Sequence, residues 1–115
     1  MAVILAYVPD LMFGTRIEDT AKRLGHTIQT LEPGQDPDAA VARLVPALVI
    51  VALDAPEWDR TVKAARTAGA RVIAFGSHKN VELMRAAKNA GCDEVLARSR
   101  LAAELPALLS RYAGA

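Results

Sequence analysis

The stretch Ala47 to Pro56, ALVIVALDAP, decides the fold of this chain. It is an almost purely apolar run, rich in Val, Ile and Leu, that ends at Asp54 and Pro56. A short apolar run closed by a turn signal predicts a strand buried on both faces, which is what the centre of a parallel sheet requires. Its carboxyl end is therefore the first place to look for a functional site.

Four other short segments predict strands. Ala2 to Val8 (AVILAYV) is a second continuous apolar run, and Arg71 to Phe75 and Glu94 to Ala97 are further apolar strands. The segment His26 to Leu31 (HTIQTL) instead alternates polar and apolar residues, which is typical of a strand at the edge of a sheet. We interpret His26 itself as a cap or surface residue, because no partner group is positioned beside it.

Amphipathic segments at helical spacing lie between these strands and after the last one. The first predicted helix runs from Leu11 to Leu24 and is ended by Gly25 in a left-handed conformation. The second begins at Asp36 and Pro37 and reaches about Leu44. The predicted inward-facing residues are Phe13, Ile17, Ala21 and Leu24 in the first helix; Trp58, Val62, Ala65 and Ala68 in a third that Pro56 opens; Val81, Met84 and Ala87 in a fourth, Asn80 to Ala90; and Leu101, Leu105, Leu108 and Tyr112 in the last.

Strand and helix alternate five times, which predicts an α/β fold with a parallel sheet and helices on both faces. Because only the second strand alternates strongly, it belongs on an edge. This favours a five-stranded sheet of order 2-1-3-4-5, the flavodoxin-like arrangement, with its crevice at the carboxyl ends of the first and third strands. The 115 residues have room for one domain, which we place at residues 1–115.

Composition excludes several classes of function. The net charge is +1, which argues against binding to nucleic acid or to an anionic membrane. The N-terminal apolar run is too short for a membrane anchor and lacks a basic leader, so we expect a cytoplasmic protein. A single cysteine, Cys92, forms no internal disulfide, and its small neighbours suggest a buried residue and not a reactive thiol.

Four segments resemble, in register, the receiver domains of response regulators, the CheY-like family. LVIVALDAP, residues 48–56, resembles the third strand, in which the phosphoacceptor aspartate is followed by three residues and a proline. PEWD, residues 56–59, resembles the loop after the phosphorylation site. VIAFGS, residues 72–77, resembles the fourth strand, and AGCDEVLAR, residues 90–98, resembles the turn and fifth strand that end in a lysine. The resemblance implies the receiver fold and a role in two-component signalling.

The catalytic positions of the family fall on residues that lack its chemistry. Anchored on Pro56, the phosphoacceptor falls on Ala52, the magnesium-binding acid pair on Tyr7 and Val8, the hydroxyl residue on Gly76 with Ser77 one place later, and the lysine on Arg98. The resemblance therefore implies a degenerate phosphorylation pocket, consisting of these residues with Asp10 and Asp54.

Asp54 and Asp10 have two interpretations. Asp54 points the same way as Ala52 in an extended strand but lies about 6 to 7 Å further along, too far for a reaction that needs in-line positioning. We favour a turn or capping role for Asp54 and a helix-start role for Asp10. The alternative is that both acids hold Mg²⁺, which would gain support if their carboxylates lay within about 4 to 5 Å of a common point.

The remaining polar residues of the pocket lie near Gly76 and Arg98. Gly76, Ser77, His78 and Lys79 would suit an anion, although we favour an ordinary cap role for Ser77. Arg98 cannot act as a base, but it can pair with Asp54 or Asp10 and fill the space of a phosphoryl group and its metal. Such an internal pair would lock one conformation.

We interpret the chain as a non-catalytic, receiver-like interaction module without a cofactor, which binds a protein partner or a second copy through its fourth and fifth helices. Two alternatives stay open: an active receiver that uses Asp54, Asp10 and Mg²⁺, and a small flavodoxin-like ligand-binding domain. The last lacks a glycine-rich phosphate loop and a hydroxyl-rich flavin loop. The predicted interaction face carries Glu82, Arg85, Lys88, Arg100, Glu104 and Arg111.

Overall fold

The computed structural model describes residues 2–114, in which strands and helices alternate. The strands are β1 (Val3–Tyr7), β2 (Thr27–Thr30), β3 (Leu48–Ala52), β4 (Arg71–Gly76) and β5 (Glu94–Ala97). The helices are α1 (Leu11–Arg23), α2 (Pro37–Leu44), α3 (Trp58–Thr67), α4 (Val81–Asn89) and α5 (Arg98–Tyr112). All strand pairs are parallel and the sheet order is β2-β1-β3-β4-β5, which confirms the predicted fold class.

Strand β3 is the centre of the sheet. It pairs with β1 on one side and with β4 on the other, and no residue from Leu48 to Ala52 is more than 1% exposed. The strand is shorter than the apolar stretch that predicted it, because Leu53 to Ala55 already form a turn in which the Ala55 amide donates to the Ala52 carbonyl at 3.1 Å. The carboxyl end of the sheet is therefore at Ala52.

The inward faces of the helices agree with the predicted periodicity except at helix ends. Phe13, Ile17 and Ala21 of α1 are buried, as predicted. Three further residues predicted to face inward are exposed: Leu24 (41%), Ala68 and Val81 (59%). Leu24 and Ala68 are the C-caps of their helices and Val81 is the first residue of α4, so all three lie beyond the turns that pack on the sheet.

Two predictions at helix and strand starts are corrected. Helix α3 begins at Trp58 and not at Pro56, because Glu57 adopts a left-handed conformation (φ 54°) just before it. His26 is neither a cap nor a surface residue: it is only 9% exposed, and its Nδ1 accepts a hydrogen bond from the Ala2 amide at 3.3 Å. Gly25 takes the predicted left-handed conformation, with φ of 89°.

Asp93 joins β4 to the start of β5 at the opposite end of the sheet from the crevice. Its Oδ2 accepts a hydrogen bond from the Val72 amide at 2.8 Å, and its own amide donates to the Val72 carbonyl at 2.9 Å. Arg66 and Arg71 lie 3.5 and 3.7 Å from the carboxylate. Burial, and then the Asp93 charge, raise the pKa of the neighbouring Cys92 thiol to about 11, so the nucleophilic thiolate is scarce at neutral pH.

None of the helices found in residues 2–114 has the length and apolar character needed to span a membrane.

Val45, the C-cap of α2, is one of two non-glycine residues among residues 2–114 with a left-handed backbone, the other being Glu57. Val45 has φ 46° and ψ 59°, a left-handed conformation that is costly for a β-branched side chain, and it is 75% exposed. We predict that Val45→Asn raises the free energy of unfolding by about 1 kcal/mol, because Asn tolerates this conformation. Urea denaturation measures the change. Val45→Ala, which keeps a Cβ atom at the strained position, is the control and should raise the free energy of unfolding by less than Val45→Asn does.

Candidate functional site

Tyr7 and Val8, at the positions of the magnesium-binding acid pair of receiver domains, have structural roles. Tyr7 ends β1 and is 4% exposed, and Val8 is 5% exposed. The Tyr7 hydroxyl donates a hydrogen bond to the Pro56 carbonyl at 2.6 Å, which ties the end of β1 to the loop between β3 and α3. Burial, and then the charge of Glu57, raise the pKa of the Tyr7 hydroxyl, so it stays a neutral donor. These two positions offer no metal ligand.

Ala52 and Gly76, at the positions of the phosphoacceptor and the hydroxyl residue of receiver domains, are closely packed against their neighbours. Ala52 lies opposite Phe75 in the β3–β4 register and is 1% exposed. The next amide, of Leu53, donates to the Phe75 carbonyl at 2.8 Å. A Cβ atom added to Gly76 would lie 3.3 Å from the Leu53 Cβ, so a side chain there would require Leu53 to move.

Arg98, the first residue of α5, lies at the centre of the crevice. Its Nη1 donates a hydrogen bond to Asp10 Oδ2 at 2.8 Å. Its Cζ lies 5.0 Å from the centre of the Phe13 ring and 5.8 Å from that of Phe75, within the range of cation–π attraction. The two rings contact each other, with centres 5.1 Å apart. An ion pair and an aromatic platform therefore fix the guanidinium.

Asp54 lies on the rim of the crevice, with a side chain that is 73% exposed. It belongs to the turn after β3, as predicted, but it does not cap α3, because Glu57 is the N-cap residue there and no side chain bonds the first amides. Its Oδ2 is 3.9 Å from Arg98 Nη2. Asp10 and Asp54 thus face one common point, as the magnesium alternative requires, but the guanidinium of Arg98 occupies that point.

Both carboxylate oxygens of Asp10 already accept hydrogen bonds. Oδ1 accepts a hydrogen bond from the Phe13 amide at 3.1 Å, which caps α1, and Oδ2 accepts from Arg98. The helix-start role predicted for Asp10 is therefore seen in the structure. A cation at the point shared by Asp10 and Asp54 would have to displace Arg98. Across residues 2–114 there is also no group of three or more His, Cys, Asp or Glu side chains placed to hold a metal ion.

The electrostatics favour the ionised form of Asp10. The hydrogen bond from Arg98, and then that from the Phe13 amide, hold the pKa of the Asp10 carboxyl below its usual value. Since the folded-state pKa is depressed, this interaction stabilises the fold fully above the ordinary pKa of Asp, about 3.9. The stabilisation is lost as the pH falls through the lowered folded-state value. The pair is thus intact at neutral pH.

The loop between β4 and α4 forms one wall of a groove beside Arg98. Ser77 does not cap α4, contrary to prediction: Asn80 does so, by accepting from the Leu83 amide at 3.1 Å. Ser77 Oγ instead accepts from the Lys79 amide at 3.3 Å, within the loop. The groove has a volume of about 480 Å³.

The predicted interaction face is exposed, apart from half-buried Glu104, and carries both signs of charge. On α4, Glu82, Arg85 and Lys88 are exposed, whereas Arg100 and Glu104 of α5 bond each other at 3.0 Å. These two charges are therefore partly neutralised within their own helix. Exposed Arg111 lies next to Tyr112, with its Cζ 5.9 Å from the ring centre.

Helix α4 also carries an accessible apolar strip, although the sequence analysis expected Val81 and Met84 to face inward. Ala87 is its only buried residue, while Leu83 and Met84 are half-buried and Val81 is exposed. The signal was present in the sequence, because Val81, Leu83 and Met84 stand within one helical turn and a helix packs only one side on a sheet. Val81, Leu83 and Met84, the α4 strip, lie beside the charged residues of the same helix.

No protein-family profile matches the chain, and no curated protein matches it. Solved structures do. Chemotaxis protein CheY4 from Vibrio cholerae is 19% identical with a TM-score of 0.81, covering 97% of this chain and 98% of CheY4. The receiver domain of the sensor histidine kinase PA1611 from Pseudomonas aeruginosa PAO1, described with a magnesium ion coordinated in its active site cleft, is 20% identical with a TM-score of 0.81, covering 99% and 98%.

The same fold is also found as a part of longer proteins. NtrX from Brucella abortus is 18% identical with a TM-score of 0.79; the match covers 96% of this chain but 26% of NtrX. At such identities the comparisons show the fold alone. The chain therefore has the fold of response-regulator receiver domains.

Arg98 should control the acidity of Asp10. We predict that Arg98→Met raises the pKa of the Asp10 carboxyl toward its ordinary value, because the main cause of its depression is removed. Measurement is by the side-chain ¹³C shift of Asp10 against pH. Arg60→Met is the control, since Arg60 makes a comparable pair, 2.9 Å from Asp36, at the neighbouring loop. An unchanged Asp10 pKa in Arg98→Met would contradict the assigned cause.

Proposed function

We propose that this chain is a receiver-like interaction module of a two-component-type signalling system that is not phosphorylated at the usual position and is not an enzyme. The observation that carries the proposal is the Arg98 guanidinium, bonded to Asp10 at 2.8 Å, at the end of a sheet in which Ala52, at the acceptor position, is buried. The proposal places the chain in the cytoplasm and gives it no cofactor.

The chemistry of phosphoryl transfer supports this proposal. The reaction needs a nucleophile in line with the phosphoryl group and a cation to neutralise developing charge. Ala52 supplies no nucleophile, and Arg98 is a permanent cation whose charge is already paired with Asp10. With the guanidinium held between two rings and a carboxylate, the crevice has one preferred arrangement instead of an exchangeable metal site.

The output of such a module is contact with another protein. The face formed by α4, β5 and α5 supports this role because it combines mixed charges with the α4 strip. Mixed charges can pair with a protein partner or, across a two-fold axis, with a second copy. The near-neutral chain, with a net charge of +1, is poorly suited to nucleic acid or an anionic membrane.

A second candidate function has one observation in its favour. The carboxylates of Asp10 and Asp54 lie 2.8 and 3.9 Å from nitrogens of the same guanidinium. Were Arg98 to swing out, the two acids could hold Mg²⁺, which binds through one or two carboxylates and keeps several waters. Asp54 would then be the acceptor of an active receiver. The loss of the aromatic contacts of Arg98 opposes this change.

A magnesium and beryllium fluoride titration separates the two functions. We predict that amide NMR shifts at residues 8–14, 52–56 and 97–100 stay unchanged with Mg²⁺ at millimolar concentration, and again after beryllium fluoride is added. The physical reason is that the Asp10 oxygens are already bonded to Arg98 and to the Phe13 amide. The PA1611 receiver domain, titrated in parallel, is the positive control for Mg²⁺.

Saturable shifts confined to Asp10 and Asp54 would contradict the proposal and establish the second candidate. Asp54→Asn should then abolish the beryllium fluoride response.

Self-association through α4 and α5 can be tested by charge reversal. If a second copy is the partner, we predict that the double variant Arg85→Glu, Lys88→Glu weakens association at least several-fold, since like charges placed together repel. Sedimentation velocity over a concentration series measures the effect. Arg43→Glu, an exposed position on α2, which packs on α3 and β1, is the control and should leave association unchanged. Equal loss in both variants would count against this face.

A further inference from the structure

The groove beside Arg98 borders the interaction face at Leu83, and the partner contact of the proposed function does not require it to be filled. It opens at the carboxyl end of the sheet, between the loop after β4 and the start of α5, with a volume of about 480 Å³. Pockets that bind small molecules have volumes of about 300 to 1,000 Å³. The lining residues are Asp54, Phe75, Gly76, Ser77, His78, Asn80, Leu83, Arg98 and Ser99.

The groove combines apolar contact surface with polar groups. Leu83 supplies the accessible large apolar side chain of its lining, because Phe75, which also borders the groove, is only 1% exposed. Ser77, His78 and Ser99 lie around them. An apolar pocket with a few convergent polar groups is the usual form of a small-molecule site, in which the apolar surface supplies affinity and the polar groups fix orientation.

Arg98 supplies the charge that selects the ligand. A guanidinium has five N–H donors, and among the described residues Arg98 uses one hydrogen bond, to Asp10. Its Nη2 lies 3.9 Å from Asp54 Oδ2, which is beyond hydrogen-bond distance. Since the Asp54 side chain is 73% exposed, it can turn into solvent at little cost. A ligand carboxylate can then bond Nη2 while Nη1 keeps Asp10.

The charges around the groove leave Arg98 with donors for an acidic ligand. Asp54 is the only carboxylate in the lining, and Asp10 bonds Nη1 of Arg98. With Asp54 turned away, Nη2 keeps N–H donors that no carboxylate among residues 2–114 occupies. A ligand carboxylate can therefore bond Nη2.

We propose that this groove binds a small organic acid with an apolar body. The apolar body lies against Leu83, and the carboxylate bonds Arg98 in the place of Asp54. The inference stands independently of the proposed signalling role, because it needs neither phosphorylation nor a partner on α4 and α5.

Benzoate is the probe for this site, followed by ¹⁵N amide shifts of the full chain. We expect saturable shifts at millimolar concentration, confined to residues 75–83 and 97–100. Two matched compounds separate the parts of the interaction. Benzamide keeps the ring without the charge, and acetate keeps the charge without the ring; both should bind at least about tenfold more weakly than benzoate, since a charged hydrogen bond or a buried ring is lost.

Variants on either side of Arg98 should change affinity in opposite directions. Asp54→Asn removes the competing carboxylate and should tighten benzoate binding about two- to fivefold, the range of an exposed charge pair. Arg98→Met should weaken it at least about tenfold. Arg60→Met, which removes an arginine outside the groove, is the control and should bind as the unaltered chain does.

Equal binding of benzamide and benzoate, weaker binding by Asp54→Asn, or shifts scattered over the surface would each overturn the proposal. Should Arg98→Met fail to fold, which its amide spectrum reports, the Asp54→Asn variant and the benzamide comparison still decide.

Discussion

The burial of β3 on both faces is the constraint on which the rest of the structure depends. Five consecutive residues with at most 1% exposure must be covered above and below, so helices pack on both sides of the sheet and the remaining strands pair on either edge of β3. That arrangement brings the carboxyl ends of β1, β3 and β5 together. The crevice is a geometric result of the apolar strand, and its chemistry depends on the side chains that follow the strands.

Arg98 determines that chemistry. It follows β5 directly, contacts the carboxylate after β1 and approaches the one after β3, and so connects three loops that are far apart in the sequence. A divalent cation would make the same connection but would exchange with solvent. A guanidinium fixed to the backbone does not exchange, and its charge persists at all physiological pH values. Whatever this crevice binds must therefore adapt to a permanent internal cation.

Most of the fold could be predicted from the sequence, because the apolar runs of the strands and the 3.6-residue period of the helices are local patterns. Sheet order followed from a single observation, the alternation in β2. The pairing of Arg98 with Asp10 could be anticipated once both were placed at the same edge. The hydrogen-bond partners of His26 and Asp93 could not be anticipated, because each side chain accepts from a backbone amide that only the sheet register brings close. The predicted burial of helix-end residues such as Leu24 was wrong, because periodicity does not report where a helix leaves the sheet.

The contact between Gly76 and Leu53 has a consequence for redesign of the crevice. A Cβ atom at position 76 would lie 3.3 Å from the Leu53 Cβ, so a hydroxyl residue fits there only if Leu53 shifts by a few tenths of an ångström. Building a phosphate-handling site here would require an acid at position 52, a change at Arg98 and a relaxed Leu53 at the same time. No single substitution therefore installs that chemistry on this scaffold.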